Sequence, residues 1–424
     1  MSKSILAGAG RAEVRIDPKL LPMERFGSVH DAPNARALLL KAEKGQFLLL
    51  SLEMTSLMGR ELGEVKAEAA EAAQVSVENV WVSVTHTFSV PHFLGGPMLA
   101  SASEQDIARN EAYKSSFLAA VRATAHAARE TLTPAKLTVC SGASTVNANR
   151  DIETPQGWWI GINPVGVCDR ALNVLCVDGE DETPIALVYN YGMQSSVLDN
   201  VFDESGSRQI SADLIGEASR KLEAARGGVA IFLPGASGDQ CPRERARWDS
   251  VDENGKIITT DLGPDKGFEI ISRLGAELAS DVERSLEQGS ITLAADTISV
   301  ERHCFECPKQ VKQFDGFPVP TRGYTSIPDG TLETSVEILR IGSQFAIVVV
   351  LPELNGITGQ TIRHESPVAV TWVAQMINGG QKYMVDTVSF DRGTYGAMNG
   401  FFDRGAAEVL VHHARKFLQP PAEQ

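Results

Sequence analysis

The chain has 424 residues, 43% of them apolar and 22% charged, an ordinary globular composition with enough apolar side chains for an ample core. Its formal charge of -15 is spread along the sequence and opposes phosphate backbones and anionic membrane surfaces, so nucleic acid is not an expected partner. No apolar run approaches the length that spans a bilayer, and membrane insertion is not expected either.

Length alone suggests two or three domains, but no Pro-, Ser- or Gly-rich linker divides the sequence, and one large domain over residues 1–424 is expected. The opening MSKSILAGAGRAEV lacks the apolar core and cleavage site of a secretory signal. Six cysteines, at 140, 168, 176, 241, 304 and 307, fit no dense disulfide framework. These features predict a cytoplasmic protein with free thiols. A homo-oligomer is compatible with them.

In chain order, residues 36–52 read as two apolar strands around a Lys-Gly turn, and 60–73, rich in Ala, Glu and Leu, as a surface helix. The stretch NVWVSVTHTFSVPH at 79–92 follows. Val80, Val82 and Val84 alternate with Trp81 and Ser83, which predicts a buried strand ending near Thr85 with His86 at its end. A histidine there is either a hydrogen-bonded loop or core residue, or a ligand presented by a rigid scaffold. Residues 105–131 carry Tyr113, Phe117, Ala120 and Val121 at helical spacing, a long amphipathic helix stopped before Pro134.

Between 137 and 191 the pattern is strand-rich, with a polar interruption at 147–163 whose Trp158 and Trp159 either line an apolar pocket or cap the core. A helix at 211–225 and a buried strand at 228–235 lead into the loop GASGDQCP. Residues 243–266 are charged and lack a strong period, which predicts a solvated excursion. Helix 267–287, a lone CxxC at Cys304 and Cys307, a Pro- and Gly-rich loop at 308–330, strands 336–341 and 345–351 and a closing helix 404–418 complete the reading. The fold class is α/β, with mixed β-sheets and flanking helices.

The motif THTFSVP at 85–91 resembles the THTHSGP signature of the neutral/alkaline ceramidase family, which are zinc-dependent amidases. Further pieces follow in that family's order: ANR at 148–150, ALVYNY at 186–191, ISADLIG at 210–216, LPGASGDQCP at 233–242, LPEL at 351–354 and INGGQKY at 377–383. The resemblance runs from about residue 8 to 418. It implies a neutral-ceramidase-like catalytic domain without the family's C-terminal β-sandwich. It also implies zinc, held in the family by two His, a Glu and a Tyr. His86, Glu353 and Tyr383 match three of these, and Gln194 stands where the second His is expected.

Two further departures concern chemistry. Phe88 replaces the second His of THTH, and Cys241 occupies the position of a serine proposed as nucleophile or positioning group. Cys241 is either a nucleophile or a small buried apolar residue. Arg150 matches the Arg of the family's NR motif and clamps an oxyanion or carboxylate, or forms a structural ion pair. Tyr395 donates to the oxyanion or packs. His92 and Trp158 are the expected substrate contacts. The implied function is metal-dependent hydrolysis of an amide or related C-N bond in a small, non-ceramide substrate. A metal-independent cysteine hydrolase using Cys241 and a non-catalytic ligand-binding homologue are the rivals.

Overall fold

The computed structural model describes residues 5–252, 254, 256–311 and 325–419. Two β-sheets lie face to face with helices on both outer sides. The larger sheet has the strand order Val229–Pro234, Pro184–Tyr191, Ala171–Gly179, Thr133–Ala143, Ile5–Glu13, Asn34–Lys41, Gln46–Leu52, Val80–Val84, with Ile291–Thr292 beside Thr133–Ala143. Its neighbours are antiparallel except at the two ends of the order, where Pro184–Tyr191 runs parallel to Val229–Pro234 and Gln46–Leu52 parallel to Val80–Val84. The smaller sheet has the order Ile298–Val311, Ile327–Ile341, Phe345–Val350, Val370–Ala374, the last pair parallel.

Period-two alternation explains the layering. Leu48, Leu50 and Leu52, like Val80, Val82 and Val84, face a core shared with helices Gly59–Ala73 and Glu104–Glu130. Phe47, Leu49 and Trp81 between them face the second sheet, where they meet Phe345, Ile347, Val349 and Trp372. Trp81 packs edge-on to Phe47 and Trp372 edge-on to Phe345, at ring separations of 5.1 and 5.0 Å. Helices Asp213–Arg226 and Gly263–Leu286 cover the other half of the large sheet. Gly356–His364 and Ala406–Leu418 cover the small one. Each fully buried Leu, Val or Phe in these layers contributes about 1.5–3 kcal/mol.

The long helix Glu104–Glu130 lies so close on Ile5–Glu13 that a Cβ on Gly8 would stand 2.1 Å from the Ala128 carbonyl oxygen. Gly10 meets the Thr124 carbonyl in the same way, at 2.3 Å. The obstructing atoms are backbone and cannot swing aside. Gly8→Ala is therefore expected to cost roughly 1–3 kcal/mol of stability, read as a lower denaturation midpoint.

Three sequence expectations change. The polar stretch 147–163 is a hairpin, Asn147–Thr154 with Gly157–Asn163, to which Gln240–Pro242 adds a third strand. Residues 243–266 hold a second hairpin, Arg247–Val251 with Ile257–Asp261, before the helix begins at Gly263. That ribbon is tied by polar cross-strand pairs, Thr259 to Asp249 at 2.7 Å and Arg247 to Asp261 at 3.0 Å, so it carries no apolar period to read. The expected loop at 308–330 is strand at both ends, since Ile298–Val311 and Ile327–Ile341 pair antiparallel, and its middle lies outside the described residues. Cys304 and Cys307 share that first strand, one exposed and one buried.

The C-terminal ends of several strands from both sheets converge. The Val84 amide donates to the Met376 carbonyl, the Gln375 amide to the Pro234 carbonyl, and the Asn190 side chain to the Leu233 and Val373 carbonyls. His86 follows Val80–Val84, Gln194 follows Pro184–Tyr191, Asp239 follows Val229–Pro234 and Glu353 follows Phe345–Val350. Chain turns leaving these strand ends deliver the polar residues to one place.

Candidate active site

His86 sits just beyond its strand with φ of +56°, in the left-handed region that non-glycine residues seldom adopt. Neighbouring bonds hold it there. Its Nδ1 lies 2.8 Å from the Thr55 carbonyl, so Nδ1 must carry the proton and donate, and its own carbonyl accepts from the Ser195 amide at 3.2 Å. This bond leaves Nε2 facing Glu353, whose Oε2 stands 3.4 Å away, and Nε2 is buried without a well-aligned hydrogen bond. The Phe88 ring lies edge to face against the imidazole at 4.7 Å and keeps that side dry.

Glu353 enters on a short parallel pairing with Tyr383, where the Glu353 amide also donates to the Lys382 carbonyl. Burial would raise its carboxyl, but His86 beside it and Arg150 beyond outweigh burial and hold it below the ordinary value. Gln194 joins the two charges. Its Nε2 donates to Glu353 Oε2 at 3.2 Å, and its Oε1 accepts from Arg150 Nη1 at 3.2 Å. An unbroken polar chain thus runs His86, Glu353, Gln194, Arg150.

Arg150 is 5% exposed and lies over the rings of Tyr383 and Tyr395, at 5.0 and 5.3 Å. Burial works against its charge, yet Tyr383 and Asp151 more than compensate, and the guanidinium stays protonated. Its backbone amide donates to the Asp239 carbonyl, which locks its strand onto Gln240–Pro242. Burial pushes the Tyr383 phenol well above its ordinary value, against the pull of Arg150. The Tyr395 hydroxyl accepts from Asn399 Nδ2 at 3.0 Å, which leaves its own proton free to donate.

Two acids that the sequence reading did not single out adjoin this chain. Burial and then Asp239 push the Asp151 carboxyl up to about 7. Burial likewise pushes Asp239 up to about 6, against hydrogen bonds from the Gln240 side chain and the Gly356 amide. Their signal was position alone: Asp151 directly follows the ANR stretch, and Asp239 lies inside GASGDQCP.

Other expected residues fall elsewhere. His92 pairs with Glu24, Nδ1 to Oε2 at 2.7 Å, and lines a separate cavity of about 360 Å³ with Ser56, Met58, Phe93 and Met98. Trp158 lies under the Arg392 guanidinium at 4.5 Å, and it is Trp159 that packs on Tyr395, at 5.6 Å. Adjacent strand residues face opposite ways, so the two tryptophans exchange roles. Cys241 is 1% exposed, its sulfur reaches the Gly161 carbonyl at 3.9 Å, and burial pushes the thiol up to about 11, which opposes the thiolate a nucleophile needs.

The fit of a zinc ion can be tested on these atoms. His86 Nε2 and Glu353 Oε2, 3.4 Å apart, have the spacing of two ligands that each lie about 2.0–2.2 Å from one tetrahedral zinc. Nε2 is buried, faces Glu353 Oε2 and makes no well-aligned hydrogen bond, so it is placed to serve as a ligand. Gln194 departs from the expected ligand set. Its carbonyl oxygen is taken by Arg150 and its NH2 group faces Glu353; turning the amide round would set donor against donor and acceptor against acceptor. Among the described residues no group of three or more His, Cys, Asp or Glu side chains gathers around one point. The spacing fits zinc for His86 and Glu353, and Gln194 stands outside that pair.

No family model matches the chain, and no curated protein matches it by sequence. Solved structures do match. A neutral ceramidase from Pseudomonas aeruginosa superposes with a TM-score of 0.72 at 14% identity, over 100% of this chain and 76% of its own. A ceramidase complexed with C2 superposes with the same TM-score and identity, over 98% of this chain and 74% of its own. The protein's two facing sheets and flanking helices are therefore those of a neutral-ceramidase-like fold.

Proposed function

We propose that the protein is a metal-assisted hydrolase of an amide or related C-N bond in a small substrate. The observation that carries this reading is the His86 and Glu353 pair, 3.4 Å apart at converging strand ends and linked through Gln194 to a buried cation. His86, Glu353 and Tyr383 would hold the metal, which when bound supplies a Lewis acid for the substrate carbonyl or water.

The remaining groups do work of their own. Thr55 holds the imidazole in one tautomer and one orientation. Tyr395 donates its proton toward the oxygen on which negative charge develops, and Arg150 places a fixed positive charge behind it. Phe88 and Trp159 exclude water from the two ends of the cluster. A proton can be held near neutrality on Asp151.

The test is turnover of a panel of small N-acyl amides by the purified chain, with elemental analysis of the same preparation. Hydrolysis that tracks bound metal, disappears on chelation and returns with zinc is the expected result. Turnover by metal-free protein would count against it. Iodoacetamide separates the cysteine rival: Cys304, exposed, is expected to label first and Cys241 to remain unlabelled, with turnover intact. Loss of turnover in step with labelling of Cys241 would instead make that thiol the nucleophile.

A further inference from the structure

We propose that the substrate carries a carboxylate close to the bond it presents for cleavage, and that one edge of the Arg150 guanidinium receives it. The inference rests on the hydrolase reading above and names its substrate class. Of the three guanidinium nitrogens, Nη1 donates to Gln194. Nε and Nη2 are buried and make no well-aligned hydrogen bond among the described residues, although the Tyr383 hydroxyl lies within reach of the guanidinium. Those two nitrogens lie along one edge and donate in parallel, the fork that matches the two oxygens of a carboxylate.

The chain's own anions do not fill that fork. Gln194 stands between Arg150 and Glu353, and Glu353 Oε2 is already engaged by the Gln194 amide beside His86. Gln194 is a neutral carboxamide, so Asp151 and Glu353 balance the cation only through space and leave its Nε and Nη2 edge without a carboxylate partner. Arginine cannot shed its proton to escape the cost of unmet donors. The guanidinium lies beside both tyrosine rings, which are themselves edge to face at 5.8 Å, and Trp159 backs Tyr395, so aromatic surface shields the fork and whatever it binds from water.

A charged, planar, pre-positioned fork recognises paired anionic oxygens far better than a neutral lipid amide does. Its place in the polar chain, one side chain removed from Glu353, sets the carboxylate a few bonds from the reacting carbon. Small N-acyl amino acids have this arrangement.

The experiment is equilibrium binding, by calorimetry, of N-acetylglycine, N-acetylleucine and N-acetylphenylalanine and of the carboxamide of each, to the full chain and to Arg150→Gln and Arg150→Lys. Wild type is expected to prefer carboxylate over carboxamide by roughly 10- to 100-fold. Arg150→Gln is expected to erase the preference and Arg150→Lys to keep only part of it, since an ammonium has the charge without the fork. Circular dichroism establishes that the variants fold; should Arg150→Gln not fold, the wild-type ratio with benzoate as competitor decides. Equal binding of the two forms, no binding of any carboxylate, or a preference that survives Arg150→Gln overturns the proposal. Turnover is read separately. Selective carboxylate binding without hydrolysis sinks the hydrolase reading and leaves only the carboxylate site at Arg150 standing, whereas hydrolysis of neutral amides with no carboxylate preference does the reverse. A fork that served only the transition state would lower kcat in Arg150→Gln and leave KM and ground-state binding unchanged, which also overturns it.

Discussion

Glu353→Gln is expected to lower turnover by about 10²–10⁴-fold while the protein stays folded. The substitution nearly keeps the shape of the side chain and removes its charge. A carboxamide at 353 can still accept from the Gln194 NH2 group through its carbonyl oxygen, so the chain to Arg150 keeps its hydrogen bonds and loses only its negative charge. The metal-facing pair loses its anion, and the cation at Arg150 loses the charge that balances it. Comparison of kcat for the two proteins, with thermal denaturation of each, separates chemistry from folding.

The same residue has a pH signature. His86 and Arg150 hold the folded carboxyl below its ordinary value, so its contribution to stability is complete above the unfolded value of about 4.3 and is lost as pH falls through the folded one. Wild type should therefore lose more stability than Glu353→Gln between neutral and acid pH, and the gap between their melting midpoints should narrow as pH drops. A gap that widens in acid would mean that the carboxylate is not held by its neighbours in the folded state.

Asp213→Ala is expected to have the largest effect on stability, on the order of 3–5 kcal/mol, because it strands several buried donors at about 1–3 kcal/mol each, less what relaxation recovers. The Asp213 side chain is fully buried and accepts from the amides of Val197, Leu198 and Leu214 at 3.2, 2.9 and 2.7 Å. It also receives the hydroxyls of Ser89 and Ser195, at 3.3 and 3.4 Å. Ser89 lies three residues after His86, and Ser195 directly follows Gln194, so one carboxylate fastens both loops that deliver the site. Burial raises its carboxyl and the three amides oppose that rise. Chemical denaturation should show the loss, and turnover measured on the surviving folded fraction should fall with it. A stable variant with normal turnover would remove Asp213 from this role.

Much of the layering was legible in residue order. Alternation of Leu48, Leu50 and Leu52 with Phe47 and Leu49 predicts a strand buried on both sides, because a pleated backbone sends neighbours to opposite faces. His86 and Glu353 were legible as strand-end residues, and the motifs around them carried a ceramidase-like resemblance that the superposition on two ceramidase structures supports at the level of fold. The hairpins at 147–163 and 247–261 were not legible, since polar residues such as Asn149, Asp151 and Glu153 in one, and Asp249, Thr259 and Asp261 in the other, interrupt any apolar period.

Motif order also placed Gln194 among the metal ligands. Which end of that amide faces Glu353 depends on a guanidinium 44 residues earlier in the chain, a donor that must be met by the carbonyl oxygen. In the same way neither Trp158 nor Trp159 declares its side until the strand pairs with its neighbour, and Cys241 does not reveal its burial until Gln240–Pro242 docks on Asn147–Thr154. Local pattern sets which segments extend or coil, because the backbone's period and the side chains' polarity are properties of neighbours in sequence. Partner, orientation and protonation belong to atoms brought together from distant segments, and those were decided by packing.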